Sequence, residues 1–248
     1  VVFHCANAGY GRWAKTLPPI MEGIIAGAAA SGARLVYGDN LDLYGPVARP
    51  LTEDLPERPV GPNATVRARV ATRLMEAHAN GAVRATIGRA SNFYGPHARR
   101  SIVGQGLFPP ALSGKPARVL GDPDASHTYT FVDDFAEGLL TLATRDEALG
   151  QVWHVPSAET MTTRQFVEAV FDQAGHPSRL RVAPTVAISA LGLFVPPLRG
   201  VKEALYQSEQ PWIVDHSKYA QAFGAAPTPH RDAIGRTLTW FRENAVSR

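Results

Sequence analysis

Hydrophobic and polar positions over the first hundred residues predict strand, helix, strand, helix, strand. Residues 1–6 (Val-Val-Phe-His-Cys-Ala) form a short apolar run that reads as a strand, and Ala6 to Gly11 reads as a loop. Leu17, Ile20, Met21, Ile24 and Ala28 recur at helical spacing. They predict a helix over 17–30, with Thr16 as N-cap, Pro18 and Pro19 in its first turn and Gly32 as its stop. Residues 33–38 read as a buried central strand that gives way to polar residues at Asp39-Asn40 and then to the Tyr44-Gly45-Pro46 turn. A loop rich in proline, glycine and acids over 45–62 leads to a helix over 64–79, whose core face carries Val66, Val70, Leu74 and His78. Val83–Arg89 is the next strand. Strands alternating with helices predict an α/β fold built on a doubly wound parallel sheet, which takes ligands at the carboxyl ends of its strands.

The texture changes after about residue 97. A basic loop with His97, Arg99 and Arg100 precedes a helical piece near 103–113, short strands near 117–120 and 128–131, and a helix from Val132 to about Ala143. A strand at 153–155, a helix over 164–174 capped by Thr162-Thr163, a short helix ending at Phe223 and a last helix over 231–244 follow. Residues 185–209 are apolar and interrupted by proline. The chain divides at about residue 97. Residues 1–97, with parts of 120–155 returning to them, form the sheet domain, and 98–248 mainly form a smaller α+β domain.

Hydrophobic residues make up 45% of the 248, enough for a packed core. A net charge of +3 with no basic run interleaved with aromatics argues against a nucleic-acid partner. No apolar run reaches the length of a membrane span, so no membrane partner is expected either. One cysteine, Cys5, excludes an internal disulfide and points to a reducing, cytoplasmic setting; its expected place is as a small buried residue. No His/Cys/Asp spacing reads as a metal site. The chain opens inside a strand without Met, which reads as a fragment, a processed product or an incomplete record.

Gly9-Tyr10-Gly11-Arg12-Trp13-Ala14 fits the G-x-G-x-x-A dinucleotide fingerprint. A helix starting at Gly11, however, would carry Pro18 and Pro19 in its second turn, and Asp39 lies farther on than the usual acid, so the plain-loop reading is preferred. Four other segments, in order, carry a resemblance. They are His4 to Ala8, Leu35 to Gly45, Gly88 to Pro96 (Gly-Arg-Ala-Ser-Asn-Phe-Tyr-Gly-Pro) and His127 to Asp134 (His-Thr-Tyr-Thr-Phe-Val-Asp-Asp). Together they resemble the H-x-A-A, V-x-S-S-x-x-V-Y-G, R-x-x-N-x-Y-G-P and R-D-F-V-x-V-x-D segments of the extended short-chain dehydrogenase/reductase family, the NAD-dependent epimerase/dehydratase group. The resemblance covers almost the whole chain. It implies a Rossmann-like domain, here N-terminally incomplete, that binds NAD or NADP, and a small-molecule substrate held between two domains.

By that resemblance Ala6, Asn7, Ala8, Asn40, Ala90 and Ser91 face the cofactor, and Asn92, Tyr94 and His127 face the substrate. Three departures shape the expectation. The Gly-rich turn and two βαβ-sized units are missing ahead of Val1. The family's Tyr-x-x-x-Lys is replaced, with Thr65 and Arg69 in the preferred register and Asn63 and Arg67 in the alternative one. The family's active-site Ser/Thr is Asn40, whose amide still donates a hydrogen bond to a carbonyl. Catalysis is therefore assigned to Asn40 for polarisation, to Arg69 for the cofactor ribose and to Tyr10 or bound water for the proton, with Thr65 in the phenol's place. Tyr44, Tyr94 and His127 are further candidates for the acid, with Tyr44 as a packed turn residue and His127 as a solvated strand-edge residue in their structural readings. Asp133-Asp134 reads as a helix cap with its first-turn acid. The expected function is an atypical NAD(P)-dependent oxidoreductase or epimerase acting on a small carbonyl, hydroxyl or sugar-like substrate, with a homodimer as the assembly considered. The alternative is a non-catalytic scaffold or regulatory binding protein.

Overall fold

The computed structural model describes residues 1–7, 12–183 and 203–244. Four parallel strands form the main sheet in the order β1 (Val2–His4), β2 (Arg34–Asp39), β3 (Arg84–Arg89) and β8 (Val152–His154). Strand β2 is buried on both faces. Leu35 and Tyr37 pack with helices α1 (Trp13–Ser31) and α2 (Gly61–Ala79), and Val36 packs with α4 (Val132–Thr144) on the other side. Helices on both faces explain why this strand reads as a continuous apolar run rather than an alternating one.

Helix α1 starts four residues earlier than its periodicity predicts, at Trp13, and the prolines fall inside it. Trp13, at 2% exposure, is buried against the sheet core. That burial, together with a guanidinium over its ring, outweighs the hydrogen bonds that Pro18 and Pro19 forgo. Gly32 ends the helix in the left-handed conformation at φ 63°, as expected of a C-cap glycine. Thr16 does not cap; its hydroxyl donates back to the Arg12 carbonyl. Helix α2 begins at Gly61, with Pro62 tolerated in its first turn.

The remaining elements build a second core. Helices α3 (Gly104–Leu112), α5 (Thr163–Ala174) and α8 (His230–Glu243) close around Tyr94, Phe108, Tyr129, Phe166 and Phe241, with short ladders β4–β7 (Asn92–Tyr94, Tyr129–Phe131), β5–β10 (Ala117–Leu120, Leu180–Ala183) and β6–β9 (Ser126–His127, Met161–Thr162). Thr162 caps α5 in a full capping box with Gln165. Asp133 and Asp134 lie in the first turn of α4 without capping it. Asp134 instead accepts from the Thr228 N–H and hydroxyl, and Asp133 pairs with Arg236. Helices α6 (Tyr206–Glu209) and α7 (Ser217–Phe223) lie in the chain between 203 and 223. No described helix is long and apolar enough to cross a membrane. The apolar stretch of 185–209 falls largely outside the described residues.

The segment 203–215 ties the two cores together. Ser208 O accepts from Asp122 N, Trp212 pairs with Ser126 and Thr128, and Ile213 O accepts from Leu51 N. Gly121 makes room for it. Its φ is +71°, and a Cβ there would lie 2.1 Å from Ser208 O. Gly121→Ala combines left-handed strain with a backbone clash, and urea unfolding is expected to show a loss of about 3 kcal/mol.

Candidate functional site

A cavity of about 600 Å³ opens where β2 and β3 end. Asp39, Asn40 and Asp42 reach it from the end of β2; Ala90, Ser91 and Asn92 reach it from the end of β3. Cys5 and Asn7 come from beyond β1, Arg67 from α2, Arg100, Ser101 and Ile102 from the basic loop, and Ala204, Gln207 and Trp212 from the C-terminal segment. This is the crevice outside the carboxyl ends of a parallel sheet.

A buried charge network underlies it. Asp39, with its side chain fully buried, accepts from Arg67 Nη1 at 2.6 Å and from Arg89 Nε at 3.3 Å. Arg89 also donates to Glu57 at 2.8 Å and to Tyr44 Oη at 3.0 Å. Tyr44 donates in turn to His154 Nε2, and His154 Nδ1 donates to the Asp215 carbonyl. Burial alone would lower the pKa of both guanidinium groups, but Asp39 together with Tyr37 and Asp42 around Arg67, and with Tyr44 and Glu57 around Arg89, more than offsets it and both end raised. Arg67 stacks over Trp13 with its guanidinium carbon 4.5 Å from the ring centroid.

The asparagine amide at the end of β2 is pinned. Asn40 Nδ2 donates to Asp42 Oδ2 at 2.8 Å and Asn40 Oδ1 accepts from the Asp42 N–H at 3.1 Å, leaving one N–H of Asn40 for a ligand. Ser91 Oγ, Ser101 Oγ and Arg67 Nε are buried without a hydrogen-bond partner, and all three residues line the cavity. Buried polar atoms without partners are rare, and their gathering here suits a polar ligand.

Several sequence expectations meet in this cavity and others do not. Asn7, Asn40, Ala90, Ser91 and Asn92 line it. Ala6 is exposed beside the cavity and is not part of its lining. Tyr10 and Ala8 lie outside the described residues. Thr65 and Arg69 are not at the site: they line a shallow groove with Arg73 and Glu76, and the Thr65 hydroxyl donates to the Gly61 carbonyl. Of the alternative pair, Arg67 reaches the cavity and Asn63 does not; the Asn63 backbone N–H donates to Glu203. Positions 67 and 69 lie about 200° apart around a helix, so only one of them can face the sheet end, and it is Arg67.

Tyr94 is a core residue whose hydroxyl bonds to His230 Nδ1 at 2.9 Å, and it does not line the cavity. His127 is neither solvated nor in the cavity wall. It is 3% exposed, it accepts from Asn92 Nδ2 at 2.9 Å, and burial pulls its pKa down to about 4. Tyr44 is fully packed, as its structural reading held. Cys5 is exposed at the cavity rather than buried, although partial desolvation pushes its thiol pKa up. His4 is buried and stacks on Tyr37. Gln207 carried no sequence signal: its bond to Asp42 spans 165 positions. Among the described residues no group of three or more His, Cys, Asp or Glu is arranged to hold a metal ion.

Residues 1–155 match the model of the NAD dependent epimerase/dehydratase family. The uncharacterized UDP-glucose epimerase YtcB of Bacillus subtilis (strain 168) is 23% identical over 94 residues, which are 38% of this chain and 30% of that protein. Among solved structures, a double mutant of DesIV, the dTDP-glucose 4,6-dehydratase of Streptomyces venezuelae with NAD and DAU bound, is similar at a TM-score of 0.77 and 19% identity, over 98% of this chain and 73% of that one. RMD from Pseudomonas aeruginosa, complexed with NADPH, is similar at 0.77 and 19%, over 98% and 81%. UDP-glucuronic acid 4-epimerase of Bacillus cereus, in complex with UDP-glucuronic acid and NAD, is similar at 0.75 and 16%, over 92% and 67%. At these identities the structures speak for the fold. The matched residues cover more than half of the sequence and contain β1, β2, β3 and β8 with the cavity between their ends, so this chain belongs to the NAD-dependent epimerase/dehydratase family.

Proposed function

We propose that this chain binds the nicotinamide end of NAD or NADP in the cavity and acts on a small carbonyl, hydroxyl or sugar-like substrate. The observation that carries the reading is the convergence of Asn40, Arg67 and Ser91, with unpaired donor capacity, at the carboxyl ends of β2 and β3. The orphaned Ser91 hydroxyl and Arg67 Nε suit the polar carboxamide and ribose of that group. When bound, the nicotinamide supplies a hydride acceptor or donor. Asn40 donates its free N–H to the substrate oxygen and stabilises the charge that develops there. Arg67, held by Asp39 and Trp13, keeps a fixed positive charge beside the same oxygen and binds the ribose hydroxyls. Trp13, Phe93, Phe135 and Trp212 exclude water from the apolar walls.

Nicotinamide fluorescence on titration with NADH and with NADPH tests this. Binding of one or the other is expected, and Arg67→Met is expected to weaken it at least tenfold, about 1.4 kcal/mol. No binding of either at millimolar concentration would end the cofactor reading for this chain.

A second reading, a binding protein that has kept the scaffold without the reaction, is favoured by one observation. No described residue of the cavity wall is a tyrosine or a histidine, the side chains that most directly take the proton in such a reaction. Turnover with a panel of sugars, ketones and aldehydes, lost in Asn40→Ala, would remove it.

A further inference from the structure

Two chains of hydrogen bonds leave the cavity, one from Asn40 and one from Asn92. Asn40 Nδ2 donates to Asp42 Oδ2 at 2.8 Å, and Asp42 Oδ1 accepts from Gln207 Nε2 at 2.7 Å. Asn92 Nδ2 donates to His127 Nε2 at 2.9 Å, and His127 is 3% exposed. An imidazole nitrogen that accepts from an amide carries no proton, so the ring proton sits on Nδ1. Gln207 ends the first chain and His127 the second.

Hydrogen-bond accounting shows what this does to the cavity. Asn40 uses its Oδ1 and one N–H on Asp42 and keeps one N–H. Asn92 uses one N–H on His127 and keeps its other N–H and its carbonyl oxygen free of any described partner. The Asn40 side thus offers a donor, and the Asn92 side offers the carbonyl oxygen beside its second N–H. Turning either amide over would change what it offers. For Asn40 it would set two acceptor oxygens against each other at Asp42, with loss of a charge-assisted bond.

Gln207 is well held for such a task. It is 5% exposed, its neighbour Tyr206 donates to the Asp42 carbonyl at 3.2 Å, and Ser208 O accepts from Asp122 N at 2.7 Å. We propose that Gln207, acting through Asp42, and His127 are positioning residues that fix the amide orientations of Asn40 and Asn92 respectively, so that a ligand hydroxyl or carbonyl meets the free N–H of Asn40 and the free carbonyl of Asn92 in a set order. The ligand in that statement rests on the proposed function; the positioning does not.

The test uses the ligand-free, nitrogen-15-labelled full chain. The side-chain NH2 resonances of Asn40 and Asn92 are assigned by their disappearance in Asn40→Ser and Asn92→Ser. Gln207→Met removes the Gln207 arm alone, so the Asn40 pair moves and the Asn92 pair stays. His127→Phe removes the other arm, so the Asn92 pair moves and the Asn40 pair stays. Gln207→Asn and His127→Gln are read in the same way if either first variant does not fold. An Asn40 pair unmoved by the Gln207 variant, or both pairs moving in each variant along with backbone amides all around the cavity, would overturn the proposal. Because no ligand enters these spectra, a failure of NADH and NADPH to bind leaves this proposal standing, and unmoved resonances leave the cofactor reading standing.

Discussion

Asp39→Ala is expected to lower the unfolding free energy by about 3–5 kcal/mol, the cost of leaving buried cations without their anion. Asp39 is fully buried and is the shared partner of Arg67 and Arg89, whose side chains are 10% and 2% exposed. Removing it leaves Arg67 with no anion and Arg89 with Glu57 alone. Urea unfolding of the variant against wild type reads the loss. Adding Arg67→Met to Asp39→Ala is expected to recover part of it, since one of the stranded charges is then gone. The exposed pair of Asp124 with Arg164 is the control. It sits in water, and Asp124→Ala is expected to leave the midpoint where it is. A midpoint for Asp39→Ala within error of wild type would contradict the network described here.

The second large effect is a loss of stability in acid that runs through His127. Burial lowers its pKa from the ordinary 6.5 to about 4, so the folded chain holds it neutral while the unfolded chain protonates it first. The stability this residue contributes is therefore complete above about pH 6.5 and is lost as pH falls toward 4. At pH 4.5 the loss is about 2.5 kcal/mol relative to pH 7.5. His4, His154 and His216 are also pulled down by burial and add to the acid sensitivity of the whole chain. The diagnostic is therefore the difference between wild type and His127→Gln. That gap is expected to close by about 2.5 kcal/mol between pH 7.5 and pH 4.5 in urea unfolding at both values. A gap that stays constant with pH would show that His127 titrates as an ordinary, solvated histidine.

Much of the scaffold is legible in the sequence, because it is written in short-range patterns. Strands at 34–39, 84–89 and 117–120 and helices over 61–79, 104–112, 163–174 and 230–243 fall within a few residues of where periodicity and capping place them. The misplacements have local causes. Helix α1 starts early because Trp13 gains more from burial than the prolines cost, and Asp133-Asp134 does not cap because Asp134 is taken by Thr228. The site divides in the same way. Asn7, Asn40, Ser91 and Asn92 sit at strand ends that carry family motifs, and all four line the cavity. Thr65 and Arg69 failed because the prolines and glycines before α2 leave its start, and hence its rotation, open by a few residues; two residues of slip turn a side chain to the far face.

What the sequence by itself determined is the alternation of strands and helices, the polar strand ends and, through them, the family. Each is a property of residues near one another in the chain, fixed by backbone periodicity and turn chemistry. The tertiary structure alone decided that Arg67 rather than Arg69 stands in the cavity, that His127 is buried, neutral and bonded to Asn92, and that Gln207 reaches Asn40 through Asp42. Those facts depend on desolvation and on hydrogen bonds between residues 28 to 165 positions apart, as in Arg67 with Asp39 and Gln207 with Asp42. No local pattern encodes such a distance, because only the closed packing of the sheet, α2 and the 203–215 segment removes water from between these groups.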